Sequence, residues 1–593
     1  MEYTSKEVYE YVSKQSNDPI VEWKKCSLSW QDFPIYQSDL EFYDKVSPTF
    51  EVSEGYAKEF LEKNNDVKDS FEYKDWKLKA KLPTPTLCPE EREAQRYVFR
   101  NEKNLYKNKC KMSWKDIISS ISPDKNYIVY DYPIRWSDSW TPFSIWKEWL
   151  KDWVFKTINK LINNVPIWNK YAQYNENSEY AALTSNAKNC YMCFWSEILE
   201  NCFYSWFVHN SNTCFDCLYC DHSEHCYNCV NINHCFAVVN SDNCVNCSES
   251  EYLFWCTNCH NCYNCSNLIN KSYCINNKQY TKEEYEEILP TIKVEKIDKI
   301  MPWCLQQSSE NCIWNNLVNC HNCSFIWSWT DCEDIKYTSS ELWWKDCYDT
   351  FCASEHSIYT VSGRYSKFCG CIFFCRELNN CRYCGNCFNC SNCFWCIWLK
   401  TKEYCIFNKE YTKEDYNELV LEIIAQMIRD KQWWEFFDPQ LSYYWYNETI
   451  AMEYHPLTKQ EALKRWYKWS DYESPIPHVE KNIQWKDLPK QWCRIIKEKK
   501  PEILEKILNY AVICEISQRP FRITKQEIEF YIKHDIPLPR KHPDVRHQER
   551  LARKDPTTMH LIHCEECWEE MLSVHLPWKF KKVLCEKCFY KGK

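Results

Sequence analysis

The sequence predicts a mainly β protein: two Cys/Asn triplet-repeat β-solenoid modules, each followed by a helix, flanked by small α+β zinc-ribbon-like modules. Three observations carry this. The 593 residues include 42 cysteines, sixteen of them between 190 and 274 and seventeen between 304 and 405. In the first cluster every gap between cysteines is a multiple of three. The last thirty residues hold two Cys-x-x-Cys pairs.

Written in threes, the first array reads ENC FYS WFV HNS NTC FDC LYC DHS EHC YNC. The third place is Cys, Ser, Val, Ile or Leu, and the middle place is often Asn. A period of three fits neither a flat strand nor an α-helix, and long 3₁₀ helices are rare. A solenoid fits: one small residue per triplet points inward, and Asn takes the left-handed corners, where its amides can stack along the axis. A single coil cannot bury its interior, so stacked coils with caps are expected.

Taken in order, residues 1–165 are a degenerate ribbon-like region with helices expected near 56–63 and 90–107. The first solenoid is 166–276 and a connector with a helix is 277–300. The second solenoid is 301–407, where register slips are expected to be insertions or loops, one of them holding Gly363 and Gly370. A helix spans 408–432. Both arrays close alike, with Asn-Lys-Gln-Tyr-Thr-Lys-Glu-Glu-Tyr (277–285) and Asn-Lys-Glu-Tyr-Thr-Lys-Glu-Asp-Tyr (408–416). In each, Thr before Lys-Glu is an N-cap with acids in the first turn. Residues 433–500 are a loop-rich connector. A second degenerate ribbon spans 501–558, with helices near 501–512 and 525–533, and the C-terminal ribbon is 559–593.

The most specific site is Cys564-Glu-Glu-Cys567 followed by Cys585-Glu-Lys-Cys588. Four thiolates close a tetrahedral structural zinc site with no open position for catalysis, so one Zn2+ is expected and an iron–sulfur cluster is not. His563 is an alternative ligand. Cys26-x-x-Ser29-Trp30 with Cys88 and Glu91, Cys110-x-x-Ser113-Trp114, and Cys514-x-x-Ser517 are ribbons that have lost ligands. In the arrays, burial of structural thiols is weighed against metal loading at Cys-x-x-Cys runs such as 214/217/220. No cysteine is singled out as a nucleophile.

The net charge of −9 excludes a globally basic nucleic-acid binder. Local basic stretches remain: Arg92, Arg96 and Arg100, four apart on one helix face, and Arg546, Arg550 and Arg553. They are candidate nucleic-acid contacts, weighed against a solvated charged face. No apolar run reaches the roughly 20 residues of a membrane span, and no signal peptide is visible. A cytoplasmic protein with reduced thiols is expected.

Two counts are abnormal: 5 glycines and 30 tryptophans. Trp568 follows Cys564-x-x-Cys567, where a knuckle calls for a small residue, and Trp30, Trp114 and Trp578 sit at turn-like places. The expectation is that some tryptophans are UGA codons that the source organism reads as glycine, Trp195 and Trp395 among them, while Trp136 and Trp140 are genuine.

Asp39-Leu-Glu-Phe-Tyr, Pro83-Thr-Pro-Thr-Leu-Cys-Pro, Arg100-Asn-Glu-Lys-Asn-Leu-Tyr, Trp136-Ser-Asp-Ser-Trp140, Lys468-Trp-Ser-Asp-Tyr-Glu and Pro537-Leu-Pro-Arg-Lys-His-Pro-Asp-Val-Arg run through most of the chain. On these pieces it resembles a group of cysteine-rich proteins common in candidate-phylum bacteria with small genomes, some of which read UGA as glycine. In that likeness, Cys393-Phe-Trp-Cys396-Ile-Trp-Leu matches a segment with Gly at both Trp places. The resemblance implies zinc ribbons around Asn/Cys repeats but no established activity. Relatives carry full Cys-x-x-Cys pairs where this chain has Ser29, Glu91 and Ser113. Some bear a CaiB/BaiF CoA-transferase label, but this chain has no glycine-rich CoA loop and no singled-out carboxylate. The expected function is a non-enzymatic zinc-binding scaffold whose ribbons contact nucleic acid or protein. The alternatives are a metal or thiol store and an enzyme.

Overall fold

A computed structural model describes residues 2–137, 140, 143–145, 154–292, 299–302, 306–314, 317–327, 329–339, 345–351, 355–473, 479, 481–488, 507–534 and 536–591. The chain forms two compact units, one of residues 1–169, 301–470 and 556–593, the other of 170–300 and 471–555. Each unit therefore joins one coil to segments distant in sequence, a grouping that the linear division into modules did not anticipate.

Both arrays are parallel β-solenoids, together about 17 turns. Successive rungs pair residues twelve apart: Phe194 with Trp206, Trp206 with Leu218, Leu218 with Val230. Twelve residues are four triplets, so each turn has four corners. The middle residue of nearly every triplet is left-handed: Asn228, Asn231, His234, Ala237, Asn240 and Asn243 all have φ of 51–55°. Asn occurs so often because it tolerates this conformation at least cost among residues with a side chain. Its amides then bond up the corner, as from Asn228 Nδ2 to Asn240 Oδ1 (2.7 Å) and from Asn380 Nδ2 to Asn392 Oδ1 (2.6 Å). Aromatic residues at corners stack instead, for example Phe207 on Tyr219 with centroids 4.6 Å apart.

The third residue of each triplet points inward, and the described cysteines there are buried apart from the half-buried Cys312. Each is more than a spacer. Cys193 Sγ donates to the Cys202 carbonyl (3.2 Å), and Cys387 Sγ to the Cys396 carbonyl (3.4 Å). Inward serines do the same: Ser205 Oγ donates to the Phe203 carbonyl and accepts the Cys217 N–H one rung on. A left-handed corner every third residue interrupts the ladder, and a small polar side chain takes up its backbone groups. Alanine would fit the space without making these bonds.

In the second array the register slips are short turns. Gln306 pairs with Leu317, eleven residues on, and Lys345 with Glu355, ten on. Gly363 and Gly370 lie in strands Glu355–Arg364 and Gly370–Arg376, not in a loop. Their work is close packing: a Cβ on Gly370 would stand 2.3 Å from the Trp434 ring, and one on Gly385 2.1 Å from Phe373.

Both arrays end by folding the last strand back, Cys274 opposite Gln279 and Cys405 opposite Glu410, both antiparallel. The helices Lys282–Ile288 and Lys413–Arg429 follow, with Thr281 and Thr412 accepting the N–H groups of Glu284 and Asp415. Each helix leans on its coil through a tyrosine pair twelve apart, Tyr273–Tyr285 and Tyr404–Tyr416.

Among the flanks, the expected helices appear as Glu54–Lys63 and Lys525–Lys533. The one expected at 90–107 stops at Tyr97, and Tyr106–Lys109 is a strand. The segment expected as helix at 501–512 ends in strand Tyr510–Ile513, and 501–506 lie outside the described residues.

Candidate metal centre

One local frame recurs four times. In the C-terminal copy, strands His560–His563 and Glu570–Ser573 form a hairpin with Cys564 at its turn. The Cys564 N–H bonds the Glu569 carbonyl (2.9 Å) and the Trp568 N–H bonds the Cys564 carbonyl (2.9 Å). Trp568 closes the knuckle with φ 60°. Further on, Cys585 caps helix Glu586–Tyr590, and its N–H points at Cys564 Sγ (3.3 Å). The Sγ atoms of Cys564, Cys567, Cys585 and Cys588 all lie within 4.8 Å of one another. Zn–S bonds of about 2.3 Å place tetrahedral sulfurs about 3.8 Å apart, and Cys567 Sγ and Cys585 Sγ stand 3.5 Å apart. Burial raises the Cys564 thiol, but the N–H groups of Cys585, Cys567 and Glu566 outweigh it and bring it down to about 6. Backbone dipoles thus favour the thiolate that a cation needs. His563 stands outside this set and meets the Trp568 ring instead.

The other three copies keep the frame and lose ligands. Around Cys26, Trp30 closes the knuckle (φ 62°), and Cys88 caps helix Pro89–Tyr97. Ser29 stands where Cys567 would, its Oγ 3.7 Å from Cys88 Sγ. Glu91 stands where Cys588 would, held by Tyr3 Oη (2.7 Å) and Arg465 Nη1 (2.7 Å). Around Cys110, Trp114 closes the knuckle (φ 61°), and Asp131 caps Tyr132–Trp136 with its N–H on Cys110 Sγ (3.4 Å). Around Cys514, Gln518 closes it (φ 56°), and His542 caps Pro543–Leu551 with its N–H on Cys514 Sγ (3.2 Å). In all three, a backbone N–H donating to the first thiol, Cys26, Cys110 or Cys514, holds the turn that a metal would otherwise pin.

The arginines read as candidate nucleic-acid contacts are placed elsewhere. In one unit Arg92 Nε and Arg96 Nη1 both bond Asp349 Oδ1 (2.8 and 3.1 Å), a corner residue of the coil. Arg100 pairs with Glu102 and lies over the Phe351 ring. In the other unit Arg546 and Arg550 both bond Asp216, again a corner residue, and Arg553 pairs with Asp242 (3.3 Å). Arg96 and Arg550 are 1% exposed. Their charge is neutralised inside ion pairs, so neither set forms a free basic face.

These pairs expose a duplication missed in the sequence. In each unit a ribbon hairpin leads into a helix that lays an acid on a coil tyrosine: Asp39 receives Tyr337 Oη (3.2 Å), and Glu527 receives Tyr204 Oη (3.0 Å). A second helix, starting with Pro at its first position, then brings two arginines four apart onto a coil aspartate. The available signal was Cys-Pro-Glu-Glu-Arg-x-x-x-Arg (88–96) beside His-Pro-Asp-Val-Arg-x-x-x-Arg (542–550).

Cys214, Cys217 and Cys220 form a second set of thiols within 4.8 Å of one another, all buried inside the coil. The described cysteines are free thiols. Among the described residues no helix is long and apolar enough to cross a membrane. No protein-family model matches the chain, and no curated protein matches it either.

Proposed function

We propose that this protein is a non-enzymatic, zinc-binding scaffold of the cytoplasm, with two rigid coils carrying ribbon modules that engage a protein partner. The observation that carries the reading is the convergence of Cys564, Cys567, Cys585 and Cys588 on a hairpin knuckle and a helix cap. Such a closed four-thiolate site builds structure and leaves no position for substrate. The inward thiols support a scaffold too, since they serve as backbone partners within the coil. A protein partner is favoured over nucleic acid because the arginines four apart are engaged with Asp349 and Asp216.

The test is metal content per chain by elemental analysis of protein made anaerobically. About one tightly held zinc, lost in Cys564→Ser, supports the reading. Many ions per chain overturn it in favour of a metal store, a second reading that the Cys214, Cys217 and Cys220 cluster favours. RNA or DNA affinity that falls steeply with salt would restore the nucleic-acid partner.

A further inference from the structure

One turn of the first coil departs from the rest. Its four inward places hold Cys214, Cys217, Cys220 and Ser223. Every other cysteine of this array donates its thiol to the carbonyl two residues back, as Cys214 does to Asn212 (3.6 Å) and Cys217 to Phe215 (3.4 Å). Cys220 does not. Its Sγ stands instead 3.9 Å from Cys214 Sγ and 4.0 Å from Ser211 Oγ. The Sγ atoms of Cys214, Cys217 and Cys220 thereby lie within 4.8 Å of one another, a convergence found at no other turn among the described residues. All three cysteines are at most 1% exposed. Val208 and Ile232, paired with Cys220 on the turns before and after, wall the set with apolar side chains. Ser223 is turned away, its Oγ donating to the Asp221 carbonyl (2.8 Å) and accepting the Cys235 N–H (3.0 Å).

Three sulfurs with no fourth donor select an ion. A trigonal ion held at about 2.3 Å, the usual metal–thiolate distance, sets its sulfurs about 4.0 Å apart and lies in their plane. Cys214 and Cys220 already have this separation. Structural zinc and iron–sulfur clusters call for four protein ligands, and the sealed interior offers only three. Soft thiolates also select copper(I), whose filled d shell accepts a three-sulfur plane. Burial alone would raise the Cys217 thiol, but hydrogen bonds from the Cys214, Cys220 and Cys229 thiols outweigh it and bring it well below its usual range. The Arg550 guanidinium, bonded to the adjacent Asp216, attracts the Cys217 thiolate as well.

We infer that Cys214, Cys217 and Cys220 form a trigonal thiolate site for one copper(I) ion inside this coil, separate from the four-thiolate centre. Each ligating thiol gives up its proton as the ion binds. The set is sealed once the coil closes, so the ion enters while the chain folds. A single ion at a single turn is not a store, since the other cysteines of the array keep their thiols on carbonyls.

The experiment is copper and zinc content per chain of the full-length protein, produced in copper-supplied cells, purified anaerobically and dialysed against a copper(I) chelator. About one copper should remain, with three sulfurs at about 2.3 Å by X-ray absorption. Cys217→Ser and Cys220→Ser should each cut the retained copper about 10-fold or more, since outer-shell partners alone are worth roughly 10–100-fold. Serine already holds buried inward places at Ser205, Ser211 and Ser223, and circular dichroism checks that the variants fold. Cys244→Ser, on another turn, should keep the copper, and so should Cys564→Ser, which removes a ligand of the zinc site. The zinc count thus tests the scaffold reading and the copper count tests this one. No copper in the parent, copper lost equally in Cys244→Ser, copper lost with Cys564→Ser, or a shell of other than three sulfurs overturns the site.

Discussion

Replacing Trp30, Trp76, Trp114, Trp466 and Trp568 together by glycine is expected to stabilise the unit that contains all five. Each has φ of 60–62° and stands 65–78% exposed, so little packing is lost with the indole. A left-handed L-residue costs about 1–2 kcal/mol, and glycine removes that strain. Glycine also adds unfolded-state entropy worth about 0.4–1 kcal/mol. The net gain is about 0.5–1 kcal/mol per site, or roughly 3–5 kcal/mol for five separated positions. Urea unfolding followed by circular dichroism should show a midpoint raised by about 1 M. Trp395 gives the internal contrast. It is also left-handed, at φ 53°, but it is fully buried and stacks on Tyr383 at 4.2 Å. Trp395→Gly should destabilise by about 2–4 kcal/mol, because the cavity outweighs the relieved strain. No glycine among the described residues has positive φ. That inversion is what UGA read as glycine would produce; Trp578, in a 3₁₀ turn, does not have a positive φ and so carries no such strain. A quintuple variant no more stable than the parent would refute the strain argument, and UGG codons at the five sites would end the recoding proposal.

Asp216→Asn should cost about 3–5 kcal/mol, since Arg546 and Arg550 would lose a buried counter-charge; Asp349→Asn should do the same to Arg92 and Arg96, both read by chemical denaturation. Cys564→Ser should release the zinc and raise amide exchange in residues 560–591, leaving the coils protected. Asn240→Ala should destabilise by about 1–2 kcal/mol through the lost ladder bond and corner strain, whereas Asn240→Gly should cost less, a difference visible in melting curves. In the metal-free native protein, a thiol reagent should titrate rapidly at the exposed Cys567 and half-buried Cys588 and Cys312, and reach the buried inward thiols only on unfolding.

The coils were legible because their period is local: three residues fix a corner, an inward side chain and an outward one, and Cys193 or Asn228 follows from its triplet alone. The thiolate centre was equally local in each half, its cysteines three positions apart within each pair. The docking of the helices was not. Arg92 and Arg96 lie more than 250 residues from Asp349, and an arginine run reads alike whether it faces phosphate or a buried carboxylate. The hint was the pair of like motifs at 88–96 and 542–550, which nothing in the sequence ties to Asp349 or Asp216.

The strands that turn back at Cys274–Gln279 and Cys405–Glu410 have a consequence for polymerisation. A parallel coil ends in a flat rung whose amides and carbonyls match those of any identical rung, so an uncovered terminus is a seed for end-to-end fibres. The reversed strand presents the opposite polarity, and the helix behind it blocks approach along the axis. Each coil carries its own chain terminator, written in nearly the same nine residues, and removing either would leave a flat rung open to the addition of another.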